Sequence, residues 1–502
     1  MFVKLASATP LGLSCQSVEV EVDIHKGQTN LSIVGLTDTS IQEAKDRIHS
    51  AIKNSGYNYP FNFRILINLA PANVHKEGTA YDLPMAAGII LAQSEENLVI
   101  DDTLVFGELA LDGSLRPING TLPMAMFAKE QGIKNIIIPT ENLAEATLIN
   151  GINILPAKNL KQVIEHLLKK QIISPAEKII FKDQTGADTP FDMSQIKGQE
   201  FAKRALEVAA SGGHNILLSG PPGSGKTLLT KTLPTILPPL TEEEMLEITK
   251  IYSIAGLLRY GLIRQRPFRS PHHTISNVAL VGGGKFPRPG EISLAHRGVL
   301  FLDEFPEFSR EVVEALRQPL EDGTITIARA RGSMQFPARF ILVASQNPCP
   351  CGYANDPQKV CVCLQSTLTK YQKKISGPIL DRIDLHVEVP RLNFDKLSNT
   401  KNSENSEIIR ERVISARKIQ QQRFAHTNIF TNAEMGNSEL KKYCALDPES
   451  LNLLRGAVEK MHLSARSYNR ILKISRTIAD LDKSENISIN HLAEALQFRI
   501  KN

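Results

Sequence analysis

An α/β protein of about three domains is what this sequence predicts, on three observations. The first is its length, 502 residues, against ~150 residues per domain with a core of its own. The second is the stretch GPPGSGKT, Gly220 to Thr227, which follows an apolar strand-like run from His214 to Ser219 and precedes a helix-like run from Leu228. The third is a pair of apolar runs, Gly298 to Leu302 and Phe340 to Gln346, that close on Asp303, Glu304 and Asn347. Strands of α/β sheets deliver polar groups in this way at their carboxyl ends.

Composition narrows the class. Basic residues number 58 and acidic residues 53, a balance that permits local nucleic-acid patches without arguing for them. No apolar run approaches the ~20 residues that span a bilayer, and the N-terminus lacks a long apolar core. The expectation is a soluble, cytoplasmic chain with no membrane partner. Six cysteines are no disulfide scaffold, yet four fall between Cys349 and Cys363. In a cytosolic chain such clustering points to metal.

Residues 1–170 read as an α/β domain. Ser17 to Ile24 alternates as a half-buried strand, Ile41 to Asn54 has helical spacing, and Phe63 to Leu69 is another strand. After Asp82, LPMAAGIILAQS reads as a buried helix and Gly107 to Gly113 as a strand into a turn. Pro123 to Lys129 then reads as a helix and Asn135 to Pro139 as a short parallel-type strand. The stretches KEGTAYDLPMA, FGELALDGSLRPING and GIKNIIIPTEN resemble the Lon-type protease domain and its relative in the RadA repair proteins. The Lon family uses a Ser nucleophile activated by Lys, which requires both within hydrogen-bond reach. Here Tyr81 and Asp82 stand in the region of the Ser, and Leu122 about where the Lys would be. A scaffold or ligand-docking domain without the protease dyad is expected.

Residues 171–193 mix Pro, Gly and polar residues without lasting periodicity and read as a linker. The segment 194–395 carries the phosphate chemistry. Its first helix, Phe201 to Ala210, ends at Gly212 and Gly213. In the loop of Gly220, Pro221, Pro222, Gly223, Ser224 and Gly225, main-chain N–H groups can wrap nucleotide phosphates. Lys226 can neutralise the β and γ phosphates, and Thr227 can ligate Mg²⁺. ATP and Mg²⁺ are the implied cofactors. Asp303 would hold the Mg²⁺ through water, and Glu304 would orient and deprotonate the attacking water. Asn347 can hydrogen-bond the γ phosphate or that water. Singly, each admits a plainer reading as a strand end or turn residue.

Together these elements resemble the AAA+ superfamily of ATPases, which implies a P-loop NTPase core with a helical lid. The resemblance makes Ile196 and Gly198, about twenty residues before the loop, candidates for the adenine pocket; a plain helix start is the alternative. Asn347 matches the sensor-1 position. SGPILDRID resembles the segment that carries the arginine finger in the magnesium-chelatase and MCM branch, which nominates Arg382. A finger acting across a subunit interface implies a ring. LSARSYNRILK resembles the sensor-2 helix of that branch and nominates Arg466, with Arg470 its rival, four residues on and on the same helical face. A surface salt bridge is the alternative role for Arg382 and Arg466.

Two further stretches exceed what ATP hydrolysis needs. Ile325 to Pro337 alternates on both sides of a turn at Arg331 to Ser333, the pattern of a β-hairpin with Arg329 and Arg331 near its tip. Val281 to Gly290 is a basic, glycine-rich loop carrying Lys285 and Arg288. In the ring ATPases that the chain resembles, such hairpins point into the central pore and grip phosphodiester backbone. Basic tips there suit sequence-independent binding of single-stranded or branched DNA; solvated hairpins with ordinary surface arginines are the alternative. PFRSPHHT, from Pro267 to Thr274, stands out without an assignable chemistry.

Cys349, Cys351, Cys361 and Cys363 form two CxC pairs with nine residues between them. Four thiolates on a short loop can enclose a tetrahedral, structural Zn²⁺, with redox pairing or plain reduced thiols the alternatives. Cys15 and Cys444 are isolated and read as packing residues. From about 396 to 410 the chain is polar and aperiodic, a hinge. Residues 411–502 show successive helical patterns and read as a lid that moves with nucleotide state.

A Lon-like N-terminal domain, a chelatase-type AAA+ module with NPCPCG after its sensor-1 strand, and a helical C-terminal domain together resemble the ComM/YifB family. The resemblance spans nearly all of the chain. It implies a hexameric DNA motor, a helicase or branch-migration translocase, acting in recombination and natural transformation, with recombination proteins as possible partners. A chelatase-type metal-insertion motor and a protein-remodelling ATPase are the alternatives.

Overall fold

The computed structural model describes residues 1–94, 100, 102–177, 190–258, 261–284, 287–329, 332–354, 356, 359–392 and 404–499. Lys285 and Arg331 lie outside them, as do most of the expected linker and hinge. The chain divides into two compact units, 1–184 with 245–263, and 185–244 with 264–502.

The first unit is built on a seven-stranded mixed sheet. Strands β1 (Phe2–Leu11) and β2 (Ser14–Lys26) pair antiparallel from Phe2 opposite Asp23 to Leu11 opposite Ser14. With β3 (Asn30–Val34), β4 (Phe63–Ala70), β5 (Thr103–Val105), β8 (Asn135–Pro139) and β9 (Asn153–Ala157), the order is β3-β4-β2-β1-β5-β8-β9. A small hairpin, β6 (Glu108–Leu109) with β7 (Leu115–Arg116), stands apart. The helix Thr39–Asn54 buries Ile41, Ala44, Ile48, Ala51 and Ile52, the three- and four-residue spacing of one face. Asp38 caps it by accepting the Ile41 N–H at 3.0 Å. The helix Asp82–Leu91 is buried on every side, as its unbroken apolar run requires.

The second unit centres on five parallel strands: β10 (Ile216–Ser219), β11 (Phe268–Arg269), β14 (Val299–Leu302), β17 (Ile341–Gln346) and β18 (Leu385–Glu388), in the order β11-β14-β17-β10-β18. Strands β10 and β14, which end in the phosphate loop and in Asp303, both pair with β17, which ends in Asn347. Two hairpins form sheets of their own, β12 (Gly282–Gly283) with β13 (Arg288–Pro289), and β15 (Thr324–Arg329) with β16 (Gly332–Pro337). The second was expected to turn at Arg331 to Ser333; its ladder sets Ala328 opposite Ser333 and Arg329 opposite Gly332, so Ser333 stands within a strand. Among the described residues, the C-terminal helices include Ser406–Arg423, Pro448–Met461, Ala465–Leu481 and Ile489–Gln497. Ile409, Val413, Ile471, Ile474 and Ile478 join Val208, Ile216 and Leu229 in one hydrophobic core. No helix among the described residues is long and apolar enough to cross a membrane.

Candidate functional site

The phosphate loop joins β10 to the helix Lys226–Ile236. Gly223 and Gly225 take φ of +76° and +93° with open space where a Cβ would stand, the left-handed conformation that turns successive N–H groups toward an anion. The loop is held from outside by Gln199, whose Nε2 donates to the carbonyls of Ser224 at 3.4 Å and Pro390 at 2.7 Å. Lys226 is buried and folded back on its own loop. Its Nζ donates to the carbonyls of Gly220 at 2.7 Å and Pro221 at 3.0 Å, and to Asn347 Oδ1 at 3.2 Å. Burial pushes its pKa down, against the opposing attraction of Asp303 and Glu304. An ammonium held by neutral oxygens beside a ring of N–H groups suits an anionic ligand.

Parallel pairing brings the other nominated groups to the same edge. Thr227 Oγ1 donates to Asp303 Oδ2 at 3.1 Å, so the two expected Mg²⁺ ligands face each other. Asp303 Oδ1 accepts from the Glu304 N–H at 3.1 Å and from Ser345 Oγ. Ser345 escaped the sequence reading although it stands two residues before Asn347 in the same apolar run; its neighbour across the sheet could not be known. Glu304 itself takes φ of +54° and is 56% exposed. Its Oε2 lies 3.8 Å from His273 Nδ1, and His273 in turn packs against His272 and edge-on to Phe308. PFRSPHHT thus begins on β11 and reaches Glu304. Ile196 is buried in the core of the unit, and Gly198 takes φ of +60°.

The nominated arginines stand apart from this cluster. Arg382 is buried, donates to the Pro378 carbonyl at 2.6 Å and pairs with Glu321. Arg466 is 58% exposed and reaches the same Glu321 carboxylate at 3.5 Å. Arg470 is committed elsewhere, to Asp384 and, at 2.9 Å, to the Arg382 carbonyl. Arg288 lies on β13 and Arg329 ends β15.

The cysteines converge. The Sγ atoms of Cys349, Cys351, Cys361 and Cys363 all lie within 4.8 Å of one another, with separations of 3.3, 3.7 and 3.6 Å among the first three. A tetrahedral Zn²⁺ at ~2.3 Å from each sulfur sets ligand separations of ~3.8 Å, so this donor set fits the ion. The Tyr353 and Val362 N–H groups hold the Cys351 thiol down to about 6, and the Ala354 N–H meets Cys349 Sγ at 3.2 Å.

In the first unit, the region compared with a Ser-Lys dyad is closed. Tyr81, Asp82 and Leu122 are buried. Asp82 accepts two hydrogen bonds from Arg47, at 2.8 and 3.1 Å. Tyr81 is pushed well above the usual phenol range by burial.

A family model described as magnesium chelatase, subunit ChlI, matches residues 192–397. Two others, described as subunit ChlI of Mg-chelatase and as magnesium chelatase, subunit ChlI C-terminal, match 20–142 and 403–499. The chain is 42% identical to a protein of Haemophilus influenzae named competence protein ComM, over 98% of this chain and 96% of that one. It is 44% identical to YifB of Escherichia coli over 97% and 95%. It is also 31% identical to Lon protease 2 of Bacillus subtilis over 33% and 32%. With three successive chelatase matches and near full-length identity to ComM and YifB, the chain belongs to the ComM/YifB family and is built on an AAA+ core.

Proposed function

We propose that this protein is an ATPase working as an oligomeric ring, a hexamer, that moves on single-stranded or branched DNA in the cytoplasm. The observation that carries the ATPase reading is the convergence of Lys226, Thr227, Asp303 and Asn347 within hydrogen-bond distance at one edge of β10, β14 and β17. In this reading the loop N–H groups and Lys226 bind the phosphates, Thr227 and Asp303 hold Mg²⁺, and Glu304 takes the proton of the attacking water. Ile196 and Gly198 line the adenine side. Arg382 acts as a finger from the neighbouring subunit, and Arg466 senses the nucleotide from the lid. Zn²⁺ on the four cysteines is structural. The functional divisions are 1–170, a linker at 171–193, 194–395, a hinge at 396–410 whose last five residues already belong to the helix Ser406–Arg423, and a lid at 411–502.

The DNA reading rests on the two hairpins, which carry Arg288 and Arg329, on Lys285 and Arg331 near them in sequence, and on the competence name of a near full-length relative. Helicase or branch-migration activity in recombination follows as the use of such a motor. A metal-insertion motor is the second reading, favoured by the chelatase descriptions of the matched families. ATPase turnover measured with and without forked or single-stranded DNA at low salt separates them. Stimulation by DNA, lost in the Arg329→Ala, Arg331→Ala double variant while basal turnover persists, is expected. Indifference to DNA sinks the motor reading.

A further inference from the structure

The four-cysteine site and the phosphate loop touch. Gly352 follows Cys351 directly and closes a turn in which its N–H donates to the Cys349 carbonyl at 2.9 Å. It is buried, with φ of +84°, and a Cβ added there would lie 2.5 Å from Cδ and 2.7 Å from Cγ of Pro222, in the phosphate loop. Backbone and proline ring therefore meet with no slack. At the other end of the same stretch, Asn347 stands two residues before Cys349 and accepts from Lys226. The residues from 347 to 352 thus contact the phosphate loop twice, at Lys226 and at Pro222, with two of the four thiols between the contacts.

We propose that Zn²⁺ bound by Cys349, Cys351, Cys361 and Cys363 braces the phosphate loop, so that metal occupancy sets nucleotide affinity. The ion fixes the turn that carries Gly352. That turn forms the wall against which Pro222 rests, and it holds Asn347 where Lys226 meets it. Without the ion, four adjacent thiols lose what holds them together, the turn relaxes, and the loop must be ordered by the nucleotide at a cost in affinity. Coupling between two sites is reciprocal, so bound nucleotide must also slow loss of the metal. The proposal rests on the reading of Gly220 to Thr227 as the nucleotide site.

The test uses the full chain as purified, stripped by a chelator, and reloaded with Zn²⁺. Metal content is read by elemental mass spectrometry, and affinity by titration with a fluorescent ATP analogue. One Zn²⁺ per chain is expected, with affinity falling about tenfold on stripping, within the range usual for coupled sites, and returning on reloading. A saturating non-hydrolysable ATP analogue should slow Zn²⁺ transfer to the chelator by a similar factor. Gly352→Ala should keep the metal and weaken nucleotide binding, which a cysteine variant that fails to fold could not demonstrate. Equal affinity with and without metal overturns the brace, as does a chain that holds no Zn²⁺ yet binds nucleotide tightly. Absence of nucleotide binding by the zinc-loaded chain overturns the nucleotide reading and the brace with it.

Discussion

Asp384 and Arg470 form an ion pair in the interior of the second unit, between the start of β18 and the helix Ala465–Leu481. Asp384 also accepts the Asn215 N–H at 3.0 Å, just before β10, and lies 3.5 Å from buried His214. Burial pushes the Asp384 pKa up, but Arg470 and His214 outweigh it and hold the carboxyl well below the usual range. The pair fixes a lid helix to the sheet. Arg466, one turn earlier on that helix, stays exposed.

Removing one partner of a buried pair leaves the other charge uncompensated, so Arg470→Ala should cost about 3–5 kcal/mol of stability. Arg466→Ala should change stability by less than ~1 kcal/mol, as exposed pairs do, and lower ATP turnover. The sign with pH follows from a depressed carboxyl. Its stabilisation is fully present above the unfolded value of ~3.9 and is lost as pH falls through the folded one. Thermal and acid unfolding of the three chains checks this; Arg470→Ala should unfold at higher pH than the parent.

Glu304 is exposed while Lys226 is buried in the loop, which separates chemistry from binding. Glu304→Gln should keep ATP affinity within about twofold and lower turnover by ~10²-fold or more, the scale of losing a positioned general base. Thr227→Ala should instead raise the Mg²⁺ concentration required, since the Thr227 hydroxyl faces Asp303 at 3.1 Å. Steady-state rates against Mg²⁺, with equilibrium ATP binding, distinguish the two.

Legibility from sequence followed how local each signal is. The phosphate loop, Asp303 with Glu304, and Asn347 each follow an apolar run directly, so strand and polar tip could be read together. Helices with a strong apolar face were found to within a few residues, as for the expected Ile41 to Asn54, which forms the helix Thr39–Asn54. Strand β1 escaped because buried Ser7, Ala8 and Thr9 break its alternation with small and polar residues. The membership of 245–263 in the first unit was not legible either. It depends on contacts such as Ser253 Oγ donating to buried Glu145, residues 108 apart in sequence. Glu321 gave no signal, and the stretch PFRSPHHT that holds His273 stood out without a chemistry, since their importance comes from Arg382, Arg466 and Glu304, each set opposite by the fold.

Burial pushes Asp82 up to about 6 despite Arg47 at 2.8 and 3.1 Å and the Leu109 N–H at 3.4 Å. The folded first unit therefore binds this proton more tightly than the unfolded chain, whose value is ~3.9. The contribution to stability is full below ~4 and is lost as pH rises to about 6. Asp82→Asn should flatten stability between these limits. Thermal unfolding across the range, read by a probe in the first unit, checks the slope.

Arg382 is held by Glu321 and the Pro378 carbonyl, inside its own subunit. Acting on a neighbour's nucleotide requires it to leave Glu321, a carboxylate that is 45% exposed and so can be given up to solvent. If the finger works across an interface, Arg382→Ala and Lys226→Ala should each be inactive alone. An equal mixture should regain a fraction of turnover, because a Lys226→Ala subunit still offers Arg382 to a neighbour with an intact loop. ATPase rates of the two variants, separate and mixed at a concentration that favours assembly, give the answer. No recovery on mixing, with both variants folded and assembled, places Arg382 in a structural role beside Glu321.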